Sequence, residues 1–225
     1  MIQVPESSLS FLKALIENNN RVWFEEHKNE FKEEEQKLKI FYNSVLEDLN
    51  ENDSIEKMKI FRIYRDVRFS KDKTPYKNHR GVSFSRTTEN LRGGYYLRIS
   101  PGESMMAGGF FQPNSADLMR IRKEFETDDT EIREIIANDN FKSFFGKLEG
   151  DEVKSAPRGF DKNHAAIDLI RKKSFIVSRK FTDKEVLALN FREKLKESYL
   201  ALRPFFDYMS DVLTTDINGV SVLER

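Results

Sequence analysis

The sequence predicts an α+β protein in which an antiparallel β-meander sheet of about four to five strands is packed by N-terminal and C-terminal helices. Three observations predict it. Helical periodicity fills both ends of the chain, a period of two dominates the middle, and the links between the middle segments are too short for helical crossovers. No internal repeat or low-complexity linker interrupts the 225 residues, so the reading is a single domain over residues 1–225.

Each element has its own justification. Over residues 7–17, Leu9, Leu12, Leu15 and Ile16 share one helical face, with Ser7 or Ser8 as cap. Asn18, Asn19 and Asn20 end that helix and offer a cap to the next. The second helix is long, because Phe24, Phe31, Leu38 and Val45 recur every seven residues, joined by Tyr42 and Leu49. KIFRIYRDVRF, residues 59–69, then alternates Phe61, Ile63, Val67 and Phe69 against Ile60, Arg62, Tyr64, Asp66 and Arg68, which predicts a strand. Strands follow over residues 81–86, 95–100 and 104–111, with Pro101-Gly102-Glu103 as a tight return. From Ser115 the chain is helical again, in three segments reaching Lys147. Asn163 caps a helix running to about Arg171, and KSFIVSRKF predicts a further strand at a sheet edge. The last helical stretch runs from Thr182-Asp183 to about Leu213. Leu195, Tyr199, Leu202, Phe206, Met209 and Leu213 mark its buried stripe, and Pro204 kinks it or begins a second helix.

Composition narrows the functional classes. Nineteen phenylalanines and seven tyrosines supply a sizeable core even though 34% of the residues are charged. Formal net charge is zero, which argues against a chain dominated by non-specific nucleic-acid or membrane attraction. The charge is nonetheless segregated. Residues 57–80 hold nine bases against Asp66 and Asp72, and residues 154–184 hold nine against Asp161, Asp168 and Asp183. There is no cysteine, so disulfides, thiolate nucleophiles and Cys-ligated zinc are excluded. The N-terminal stretch lacks the pattern of a signal peptide and no apolar run approaches a membrane span. The expectation is a cytoplasmic protein with no membrane partner.

Two stretches carry candidate chemistry. In RDVRFSKDKTPYKNHRG, residues 65–81, Arg65, Arg68, Lys73 and Lys77 form a set suited to phosphate or carboxylate, with Tyr76 as a hydrogen-bond donor. Asp66 and Asp72 could instead pair with these bases internally. In GFDKNHAAIDLIRKKSF, residues 159–175, His164 falls at a predicted helix N-terminus, where an acid–base role is available with Asp161 or Asp72 as its partner. The plainer reading is a histidine that caps or packs. Gly108-Gly109 inside a strand suggests a bulge, or a place where another backbone or a ligand comes close.

Other chemistries lack their signatures. Neither a P-loop nor a Rossmann fingerprint occurs, and no cofactor is expected. The three histidines, His27, His79 and His164, have no metal-ligand spacing, so no metal site is expected. No DNA-binding motif accompanies the neutral composition, which argues against a sequence-specific DNA reader.

Four separated motifs in order add a resemblance: NNNRVWFEEHK, RDVRFSKDKTPYKNH, GGYYLRISPGESMMAGGFFQP and PRGFDKNHAAIDLIRKKSF. Across roughly residues 11–213 the chain resembles the domain-of-unknown-function family 2461, a group of conserved microbial proteins. That pattern commonly has proline after the late histidine, where this chain has Ala165. Proline there would only pre-set the first turn of a helix. The resemblance implies an arrangement of motifs and no reaction. The leading expectation is a small anionic, phosphate-bearing ligand held by Arg65, Arg68, Lys73, Tyr76 and Lys77 near Gly108 and Gly109. The alternatives are an enzyme using His164, and an interaction protein with internal Arg-Asp networks.

Overall fold

The computed structural model describes residues 2–87, 90–216 and 218–223. Helices α1 (Glu6–Glu17), α2 (Arg21–Glu26) and α3 (Lys28–Asn50) precede strands β1 (Ile55–Ile60), β2 (Arg80–Arg86), β3 (Gly94–Ile99) and β4 (Ser104–Phe110). Helices α4 (Ser115–Thr127), α5 (Thr130–Ala137), α6 (Asp139–Phe145) and α7 (Ile167–Ile170) lead to β5 (Phe175–Phe181). The chain continues with α8 (Asp183–Val186), α9 (Phe191–Ala201) and α10 (Arg203–Thr214). The sheet is an antiparallel meander ordered β1-β2-β3-β4-β5. The predicted α+β class and meander are therefore what the chain forms.

The residues pack as two compact units. One comprises Met1–Phe84, Tyr96–Met106 and Lys180–Glu197; the other comprises Ser85–Tyr95, Ala107–Arg179 and Ser198–Arg225. In the first, α1 packs on α3, and a buried cluster gathers Phe11, Leu12, Leu15, Phe24, Ile63 and Tyr76, with Trp23 and Phe31 against it. In the second, α10 packs on α4 and α5, and Phe110, Phe125, Phe175, Phe205 and Phe206 fill the interior. Edge-to-face contacts such as Phe125–Phe175 at 5.7 Å suit the aromatic-rich composition.

Several expected elements differ in detail. The first helix starts after Pro5 without a side-chain cap, and Ser7 and Ser8 donate instead to the Glu34 carboxylate on α3. The long second helix breaks at His27, whose φ of −103° and ψ of 14° separate α2 from α3. The strand expected to run to Phe69 ends at Ile60. Its alternation has no sheet face to match, because Ile63 is buried while Phe69 is 96% exposed. The arginines at 62, 65 and 68 also need water or carboxylates that a buried strand would deny them. The helix expected from Asn163 starts only at Ile167. Asp161 accepts from the Asn163 backbone N–H and His164 Nδ1 accepts from that of Ala166, so successive turns occupy this stretch. Pro204 lies in the first turn of α10, where its missing N–H costs no helical bond.

Candidate functional site

Between β1 and β2 the chain makes a narrow excursion that belongs wholly to the first unit. Arg65 N–H donates to Pro75 O at 2.9 Å and Lys77 N–H to Ile63 O at 2.8 Å, with Tyr64 bridging Tyr76. This two-stranded ribbon is anchored from below by Ile63 and Tyr76, both buried in the cluster with α1 and α2. Tyr76 stacks on Phe24 at 4.0 Å. The three asparagines divide the remaining work. Asn18 Nδ2 donates to Ala14 O at the end of α1, and Asn20 Oδ1 accepts from Trp23 N–H to cap α2. Asn19 clamps the ribbon, donating to Tyr76 O at 3.0 Å and accepting from Tyr76 N–H at 3.1 Å.

The ribbon ends in a loop closed by its own side chains. Arg65 Nη1 donates to Asp72 at 2.5 Å and to the Thr74 hydroxyl. Asp72 also accepts from Thr74 N–H at 2.9 Å. Asp66 receives Arg68 through Nε and Nη2 at 3.0 and 2.7 Å, and Lys73 Nζ donates to Val67 O at 2.9 Å. The two Arg-Asp pairs expected as the plain alternative thus form within the loop, with the Arg68 side chain 77% exposed. Pairs this exposed contribute little to stability, so their effect is to hold the loop's shape.

Beside the ribbon lies an open cleft of about 430 Å³, lined by Ile16, Asn19, Arg65, Asp72, Thr74, Tyr76, Lys77, Asn78 and His79. Its walls are biased to positive charge. Burial, then the neighbouring Arg98, Lys77 and Arg80, pushes His79 down to about 4, so its imidazole is neutral at pH 7. His79 Nδ1 donates to Asn78 Oδ1 at 3.0 Å, leaving Nε2 as the open position. Lys77 lies below the usual lysine value, from burial first and then from Arg80 and Arg62. Among the described residues it has no carboxylate partner, and its ammonium sits 5.5 Å from the centre of the Phe61 ring. Asp72 is held down to about 2, chiefly by the Thr74 N–H and then by Arg65. Arg80 is buried behind this segment, bonded to Glu35 and over the Phe31 ring.

The cleft brings together Arg65, Asp72, Tyr76 and Lys77 from the sequence-predicted set. Arg68 and Lys73 are pinned in the loop and do not line it. Gly108, Gly109, Asp161 and His164 belong to the second unit. A Cβ on Gly108 would fall 2.2 Å from Leu202 Cδ2, and one on Gly109 2.2 Å from Phe175 O, so neighbouring atoms fill the space beside both. The Asp161 carboxylate faces the Asn163 N–H and that of Asp168 faces Arg133. His79 was missed as a site residue. Its signal was available two residues beyond Lys77, in a run where Lys77 and Arg80 flank it.

Residues 7–208, which include every residue lining the cleft, match the profile of the family described as Conserved hypothetical protein (DUF2461). The chain belongs to that family. No curated protein and no solved structure matches the chain. The DUF2461 match takes in all four motif stretches. In the structure, the asparagine stretch and the basic stretch are the two that build the cleft: Asn19 comes from one, and Arg65 to His79 from the other. Among the described residues no helix is long and apolar enough to cross a membrane.

Proposed function

We propose that this protein binds a small phosphate-bearing anion in the cleft beside the ribbon. Arg65 and Lys77 contact it, and Tyr76 and the neutral His79 ring contribute to the wall. The observation that carries the reading is convergence. Two cations, Arg65 and Lys77, line one open cleft of a chain with zero formal net charge, and the one carboxylate on its wall, Asp72, is already taken by Arg65. Lys77 is held as a cation against burial and against its neighbours Arg80 and Arg62, so an anion beside it relieves a cost already present in the free protein. Arg65 spends Nη1 on Asp72 and Thr74, and its remaining guanidinium donors are those a phosphate would take.

Thermal shift against inorganic phosphate, pyrophosphate, sugar phosphates and nucleotides tests this. A ligand at about a hundred times its dissociation constant stabilises the fold by about 2.7 kcal/mol, a readily measured rise in melting temperature. Lys77→Ala should remove most of that rise and Lys77→Glu all of it. A panel without any response, or a response untouched by Lys77→Glu, overturns the reading.

A further inference from the structure

From the anion cleft outward, the ribbon alternates aromatic and cationic groups. Tyr64 is 47% exposed and stands against the cleft wall, with its ring 5.4 Å from that of Tyr76, a lining residue. Arg65 follows, then Arg68, whose guanidinium lies 5.9 Å from the Phe69 ring centre. Phe69 stands at the tip, 96% exposed. A phenylalanine in full contact with water forgoes roughly 2 kcal/mol of burial. This one is presented by a loop that five side-chain bonds hold closed, those from Arg65 to Asp72 and Thr74, from Arg68 to Asp66 twice, and from Lys73 to Val67. The bracing holds the ring out rather than folding it in.

We propose that the ligand of the cleft is a nucleotide, its phosphate taken by Arg65 and Lys77 and a base stacked on an exposed ring of the ribbon, Tyr64 for the nucleotide in the cleft and Phe69 for the next one along a single strand. The inference rests on the anion-binding reading above and deepens it. A basic track carrying aromatic platforms is the arrangement by which proteins hold single-stranded nucleic acid, because every base has a stackable face and every phosphate a charge. A neutral chain suits such local contact better than the capture of duplex DNA. The alternatives fit the loop less well. Membrane attachment scales with apolar area, and Phe69 is the only aliphatic or aromatic side chain between Arg68 and Thr74. A protein partner would need an apolar surround, whereas Arg68, Lys71, Asp72 and Lys73 surround this ring in the sequence.

The test compares pyrophosphate, adenosine and uridine monophosphates, a ten-residue oligouridylate and phosphatidylserine vesicles, on the whole protein and on Phe69→Ala and Phe69→Trp. Phe69 buries nothing, so both variants should fold as the parent does. The expected result is oligouridylate binding at least about fivefold tighter than pyrophosphate, lost in Phe69→Ala, with pyrophosphate binding unchanged. Phe69→Trp should keep the preference and report it as quenched indole fluorescence. A preference confined to the oligomer marks a strand as the ligand, and one shared by the monophosphates marks a free nucleotide. Equal binding of pyrophosphate and nucleotides, or a preference for the oligomer over the monophosphates that survives Phe69→Ala, overturns the inference while the cleft reading stands. Absence of binding by any phosphate compound removes both readings together. Vesicle binding that depends on Phe69 overturns the inference in favour of a membrane-seeking tip.

Discussion

At Gly109 the chain adopts a φ of +132°, and a Cβ there would fall 2.2 Å from Phe175 O and 2.8 Å from Ile176 Cα. Neither strain can be relieved by a rotamer, since both contacts are with backbone. Gly109→Ala should therefore cost more than about 2 kcal/mol, read as a lower urea midpoint, and no response of the cleft to phosphate should be needed to see it. His79 gives a second residue-level expectation. Its folded value of about 4 lies below the ordinary 6.5, so the unfolded chain takes up the proton first as pH falls. The stability linked to neutral His79 is complete above about pH 6.5 and is lost as pH falls through about 4. Comparing urea midpoints at several pH values across that window, His79→Gln should lose less stability than the parent does. Equal slopes would mean that the histidine is free to charge in the folded protein. The glycine's need was half legible in the sequence, as a close approach inside a strand. The histidine's was not, because its burial and its three cationic neighbours come from β2, β3 and the ribbon at once.

The ribbon shows how elements trade local preference against context. Its sequence alternates as a strand does, yet only a few residues around Tyr64 and Tyr76 pair, and the rest closes on itself through Arg65, Asp66, Arg68 and Asp72. Alternation alone cannot distinguish a half-buried strand from a solvated excursion with two buried anchors. What holds the ribbon in place is Asn19, which satisfies both backbone groups of Tyr76. Asn19→Ala leaves a buried residue's N–H and C=O without partners and should cost about 1–3 kcal/mol, weakening phosphate binding as the ribbon loosens. Asn20→Ala removes the α2 cap and a long exposed bond to Asn18 O, neither of which touches the ribbon, and should cost about 1 kcal/mol with ligand binding kept. Thermal shift with and without phosphate separates the two. If both variants lower stability and binding equally, the clamp has no special part in placing the cleft. The helices were read more faithfully than the ribbon because their stripes are long: all six residues expected to mark the C-terminal stripe are buried.

For the whole molecule, 38 basic and 38 acidic residues set a sequence isoelectric point near 6.9. Colloidal repulsion is weakest there, so solubility in low salt should pass through a minimum near pH 7 and rise on moving about two pH units either way. A flat profile would show that the segregated charges, not their sum, govern association. The sequence by itself determined the α+β class, the order of the strands along the chain, the aromatic character of the core and membership of the family. Those follow from periodicity, short links and ordered motifs, all of which are local in the chain. Only the tertiary structure decided which charged groups meet. Asn19 reaches a residue 57 positions away, Arg68 and Lys73 are spent on their own loop, and His79 joins Arg65 and Lys77 in one cleft. Proximity, burial and mutual repulsion depend on distances through space, and the spacing of residues along a chain does not encode those until the core has formed.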